Sequence, residues 1–191
     1  MTKTYWILLT IILIIGGLLR FVNLDSNPPH LGNDEISIAF DTYSVRLVGK
    51  DEHGHFLPIS FESHRSYKAP LYAYFNIPFN YLLGNTEYGV RTLSALSGTI
   101  SIYLAAIIGS LIATPSVGLV AALLMATDPK NIFASRIAYE SNLATAILLL
   151  GIWGLLKYID SKKRKWLIVG SFFMGLSIWG YHTEWGLVPM I

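Results

Sequence analysis

From Thr92 to Thr127 the chain carries no charged residue. A single helix over that run would be about 54 Å long, against a hydrocarbon core of roughly 30 Å, so the run has to turn back on itself. Thr114-Pro115-Ser116 supplies the break, because proline suits a helix start and not its interior. Only 14% of all residues are charged and mean hydropathy is +0.49. A soluble domain is charged at roughly a quarter of its positions, so this chain belongs in a bilayer.

The remaining apolar segments fit that setting. Tyr5 to Val22 is apolar except for Arg20. A cleaved leader would need a small-x-small site after it, and Arg20-Phe21-Val22-Asn23-Leu24 stands there instead. Further spans are expected at 91–113, 115–135, 141–159 and 166–182, with a sixth starting at Trp185. The 115–135 span either runs obliquely through Asp128-Pro129 or is a broken helix. The expected fold class is therefore all-α. It is a multi-pass transmembrane helical bundle, one domain over 1–191, with amphipathic surface helices in a long first loop, 23–87. Gly98, Gly151, Gly154 and Gly175 are expected to let neighbouring helices approach closely.

Lys162-Lys163-Arg164-Lys165 lies between the fourth and fifth expected spans. Short loops rich in Lys and Arg stay in the cytoplasm, which puts the N-terminus inside and loop 23–87 outside a plasma membrane. A net charge of +2 without a basic stripe excludes nucleic acid as a partner. The absence of cysteine excludes disulfides, a thiolate nucleophile and a cysteine-ligated metal.

The polar loop is where chemistry is expected. Asn27-Pro28-Pro29-His30 is stiff and extended. After Asn33, a suitable N-cap, the apolar residues Ile36, Phe40, Tyr43 and Leu47 recur at helical spacing, and Gly49 is a C-cap candidate. This helix is expected to lie along the membrane surface. Lys50 to Gly54 reads as a turn, and Pro70 to Leu83 as a second surface element interrupted by Pro78.

Asp34 and Glu35 fall in the first turn of the surface helix, where free N–H groups favour ionised carboxylates. One of them could serve as a base, or both could simply stabilise the helix. Lys68, before Ala69-Pro70, either holds a phosphate as a point charge or anchors an interfacial helix. Arg91, Arg136 and Glu140 are expected at the same depth as Asp34, although Arg136 and Glu140 are spaced to pair with each other. His53 and His55 with Asp51 and Glu52 lack a frame that would fix metal geometry. Tyr181, His182 and Glu184, at the outer end of a span, read as an aromatic belt or as the lining of a polar cavity.

These pieces come in a telling order. The acidic pair is followed by Asp51-Glu52-His53-Gly54-His55-Phe56-Leu57-Pro58, Tyr67-Lys68-Ala69-Pro70-Leu71-Tyr72 and Glu87-Tyr88-Gly89-Val90-Arg91-Thr92. Then come Ser135-Arg136-Ile137-Ala138-Tyr139-Glu140 and Gly180-Tyr181-His182. The set resembles bacterial membrane glycosyltransferases of the GT-C class, in particular the protein O-mannosyltransferase-like group and the aminoarabinose transferases that modify lipid A. The resemblance implies transfer of a hexose or pentose, with inversion, from a polyprenyl-phosphate carrier to an external hydroxyl of a protein or glycolipid.

On that resemblance Asp34 is the catalytic base, with Glu35 and Glu140 as further acids of the site. Lys68, Arg91 and Arg136 would bind the donor phosphate, and Tyr67, Tyr181 and His182 would line the cavity. No cofactor is certain. Some relatives use a divalent metal, but Tyr67 stands where they carry an acid, so no metal ligand is assigned. The resemblance covers only the N-terminal part of such enzymes, so a C-terminal remainder is expected and the piece by itself is expected to be inactive. The rival classes are a transporter or flippase-like protein, which would keep its acids near the bilayer midplane, and a non-catalytic scaffold.

Overall fold

The computed structural model describes residues 1–63 and 66–190. The bundle is built from α1 (Lys3–Phe21), α4 (Glu87–Ile112), α5 (Pro115–Thr127), α6 (Pro129–Arg136), α7 (Glu140–Ser161) and α8 (Arg164–Ile178). Between α1 and α4 lie α2 (Asn33–Val48), a hairpin of β1 (Phe61–Ser63) and β2 (Ser66–Lys68), and α3 (Leu71–Leu83). The chain closes with α9 (Glu184–Leu187) and a 3₁₀ turn at Val188–Met190. The fold is all-α apart from this small hairpin, which the sequence patterning did not reveal.

Each helix starts for a local reason. Thr2 caps α1 by accepting the Tyr5 N–H, and Thr86 caps α4 by accepting the Gly89 N–H. Thr114 caps α5, with Pro115 in its first turn. The next break is at Asp128-Pro129, where α5 and α6 meet at 59°. Pro129 cannot donate backward, and Asp128 caps α6 by accepting the Asn131 N–H at 3.0 Å. The helix over the 115–135 segment is thus broken at Asp128-Pro129.

Among the described residues α1, α4 and α7 are each long and apolar enough to cross a membrane, and the α5–α6 pair makes up to four. α8, expected to cross as well, has 15 residues. At about 22 Å it is shorter than a hydrocarbon core. Of the sixth expected span, α9 and the 3₁₀ turn are all that is described, and Ile191 lies outside the described residues.

The α1 side chains divide by direction. Ile7, Ile11, Ile14 and Leu18 face outward, as a lipid-facing stripe should. Tyr5, Leu9 and Ile12 pack with Ile102 and Ala106 of α4 and Ala122 and Ala126 of α5. Small residues allow the closest approaches: a Cβ added to Gly154 would lie 2.7 Å from Gly170 Cα, and one added to Gly98 would collide with Ser135. Gly175 differs from the expectation, since a Cβ there meets nothing within 4 Å.

A second core ties the loop elements to the bundle. Ile38 and Ala39 of α2, Leu71 and Tyr72 of α3, Val90 and Leu93 of α4, and Leu143 and Ile147 of α7 share one cluster. Tyr72 is wholly buried and donates its hydroxyl to the Val90 carbonyl at 2.9 Å.

The local expectations need two corrections. Gly32, not Asn33, is the N-cap of α2, with Glu35 reaching back to accept the Gly32 N–H at 3.0 Å. Pro78 does not interrupt α3, which runs through it to Leu83. Gly49 does end α2, in the left-handed conformation with φ 68°.

Candidate active site

The Leu24–Gly32 segment has prolines and little regular structure, so its carbonyls need donors from elsewhere. Arg91, wholly buried on α4, supplies several. Its Nη1 donates to the carbonyls of Leu24 and Pro28, and its Nη2 to that of His30 at 2.7 Å. The remaining N–H groups grip Glu35, Nε to Oε1 at 2.9 Å and Nη2 to Oε2 at 3.2 Å. Glu35 also accepts the Ala138 N–H at 2.9 Å. Burial alone would push the Glu35 carboxyl up, but these hydrogen bonds outweigh it and hold the group below its ordinary value.

Arg136 does the same for the start of the segment. It donates to the carbonyls of Leu19, Val22, Asn23 and Asn27, among them the orphan end of α1. Arg20, inside the bundle, bonds the carbonyls of Gly16, Met125 and Ala126 and the side chains of Asn131 and Ser135. Arg91 and Arg136, expected at the donor phosphate, are both engaged within the protein in this structure. Their N–H groups hold main chain and Glu35. Arg136 also makes no ion pair with Glu140. Glu35 is a joint between α2, α4 and the α6–α7 link rather than an open acid.

The joint presents Asp34 to a cavity of about 500 Å³, lined by Pro28, Pro29, His30, Asn33, Phe133 and Tyr139 among others. A second cavity, of about 400 Å³, holds Tyr67, Lys68, Trp179, Tyr181 and His182, with Ile59, Pro70 and Ile178 giving it apolar walls. Tyr139 of the first and Tyr181 of the second have ring centres 6.2 Å apart.

Lys68, at the end of β2, reaches across to α2. Its ammonium donates to Ser37 Oγ at 2.6 Å and forms an ion pair with the Asp41 carboxylate. Burial pushes Asp41 up, against the opposing pull of Lys68. Glu140, the first residue of α7, lies within electrostatic reach of Lys68, Asp34 and Asp41. Asp51 is occupied differently: it accepts the N–H groups of His53 and His55 and pairs with the His55 ring at 2.9 Å, closing a tight turn.

Asp34 and Lys68 thus line two separate cavities, with Tyr67, Tyr181 and His182 around Lys68. Glu184 is buried nearby in sequence, and burial pushes its carboxyl up. Ser37, Asp41 and Tyr139 were not singled out beforehand. The i, i+3, i+7 spacing of Asp34, Ser37 and Asp41 was the available signal.

The family model for dolichyl-phosphate-mannose-protein mannosyltransferases matches residues 67–191. The chain belongs to this family. It is thus a membrane glycosyltransferase of the mannosyltransferase type. The matched stretch takes in Lys68, Arg91, Arg136, Glu140, Tyr181 and His182, whereas Asp34 and Glu35 precede it. No curated protein and no solved structure matches the chain.

Proposed function

We propose that this chain transfers a hexose or pentose from a polyprenyl-phosphate carrier to a hydroxyl of a protein or glycolipid, on the outer side of the plasma membrane. The observation that carries the reading is the arrangement of Asp34 and Lys68. A carboxylate and an ammonium open onto two cavities whose lining tyrosines, Tyr139 and Tyr181, have ring centres 6.2 Å apart. Inverting transfer needs a base on one face of the sugar and a cation at the leaving phosphate on the other.

In this reaction Asp34 takes the proton of the acceptor hydroxyl as its oxygen bonds to the anomeric carbon. The bond from that carbon to the phosphate oxygen breaks, and the polyprenyl phosphate departs with the electron pair. Lys68 meets the charge that grows on the phosphate, in a cavity lined by Trp179, Tyr181 and Pro70. Glu140 is the second acid facing these charges. Glu35, Arg91 and Arg136 act as framework, keeping Asp34 in place. The isoprenoid leaves the apolar side of the Lys68 cavity toward lipid, each buried CH₂ contributing about 0.8 kcal/mol to its anchoring.

The test is transfer of labelled sugar by membranes carrying the full-length protein. Asp34→Asn should lower turnover by about 10²–10⁴-fold with little change in donor KM. Turnover equal to wild type would remove Asp34 from the mechanism.

A further inference from the structure

A lysine ammonium has three N–H donors on a flexible stem, so by itself it is a poorly aimed charge. In this protein two of those donors are directed to one helix. Ser37 Oγ accepts at 2.6 Å, and the Asp41 carboxylate pairs with the same nitrogen. The Lys68 side chain is 15% exposed and that of Asp41 5% exposed, so solvent does little to loosen the pair. Asp34, Ser37 and Asp41 occupy one side of α2, and Asp34 and Asp41 are separated by about 10 Å along the helix axis. The third ammonium donor is left for the cavity that Lys68 lines.

We propose that Asp41, with Ser37, is a positioning residue that holds Lys68 in register with Asp34, so that α2 sets the spacing between the base and the phosphate cation. The inference rests on the functional reading above. It deepens it by making a single rigid helix responsible for both ends of the reacting bond. Asp41 touches neither substrate; it acts through Lys68. Other groups that bear on Asp41 are Asp51 and Glu52 of the Lys50–Gly54 turn, and Glu140 shares its neighbourhood from α7. All of these are acids, so Lys68 is the cation that makes a buried carboxylate tolerable at this place.

The experiment measures donor KM and kcat with polyprenyl-phosphate mannose as the probe, in membranes carrying the full-length protein. The variants are Lys68→Ala, Asp41→Asn, Ser37→Ala and the Lys68→Ala/Asp41→Asn double. Asp41→Asn should raise donor KM about tenfold with a smaller change in kcat, and Ser37→Ala should shift it the same way by less. The double variant should be no worse than Lys68→Ala alone, because Asp41 has nothing left to aim. A purely structural Asp41 would give losses that add, and that result overturns the proposal. Should Asp41→Asn fail to fold, Ser37→Ala decides: an unchanged donor KM overturns it. If Lys68→Ala leaves donor KM unchanged, the phosphate role of Lys68 fails and the proposal with it. If Lys68→Ala raises KM while Asp41→Asn matches wild type, the positioning proposal alone falls.

Discussion

Arg91 closes on Glu35 through two parallel hydrogen bonds while its other donors hold the carbonyls of Leu24, Pro28 and His30. One guanidinium therefore joins the helix that carries Asp34 to the loop before it. Arg91→Ala would leave the Glu35 carboxylate buried and unpaired, a loss of about 3–5 kcal/mol. Arg91→Lys should recover only part of it, because an ammonium cannot reproduce the bidentate fork. Thermal unfolding of the purified protein in detergent is the measurement, and a melting temperature unchanged by Arg91→Ala would contradict this role.

The same pair makes stability depend on pH in a definite direction. The Glu35 carboxyl is held below its ordinary value of 4.5 in the folded protein. Its contribution is therefore complete above that ordinary value and is lost as pH falls through the lower folded value. Melting curves between about pH 6 and pH 3 should fall more steeply for wild type than for Glu35→Gln, which has no charge to lose. Parallel curves would show that the pairing does not govern acid stability.

Arg136 offers a sharp contrast with Lys68. Because Arg136 bonds the carbonyls of Leu19, Val22, Asn23 and Asn27, Arg136→Ala should lower stability by about 2 kcal/mol or more and leave the donor KM of the folded fraction close to wild type. A donor KM raised as far as in Lys68→Ala would return Arg136 to the phosphate.

The α7–α8 interface predicts opposite outcomes at two glycines. Gly154→Val places a Cβ 2.7 Å from Gly170 Cα and should cost about 1–3 kcal/mol through forced separation of the helices. Gly175→Ala meets nothing within 4 Å and should be neutral or slightly stabilising. Equal losses at both sites would mean that α7 and α8 do not pack in this register.

The chain has no cysteine, so single introduced thiols report sidedness without background. With loop 23–87 outside, Ser26→Cys should react with a membrane-impermeant maleimide added to intact cells, and Lys163→Cys should react only after lysis. The reverse pattern would place the Asp34 loop in the cytoplasm and end the proposed mechanism.

The long apolar helices α1, α4 and α7 were legible because the cost of charge in hydrocarbon leaves a mark on composition that needs no partner to interpret. Direction was not. Arg91 could face a ligand or the loop from the same helical turn, and the outcome depends on Glu35, 56 residues away. Helix α2 shows the same limit on its inward side. Ile36, Phe40, Tyr43 and Leu47 form its apolar stripe, and all of them are exposed. The inward side carries Glu35, Asp41 and Thr42 beside Ile38, Ala39 and Val45, and both of these acids are ion-paired. The β1–β2 hairpin escaped notice because strands of 3 residues leave too short a pattern to stand out.

The guanidinium clamps on the Leu19–His30 stretch touch main-chain oxygens only. Contacts of that kind are indifferent to which side chains decorate the path. Exposed positions of the stretch, such as Asp25 and Ser26, can therefore be changed without undoing either clamp.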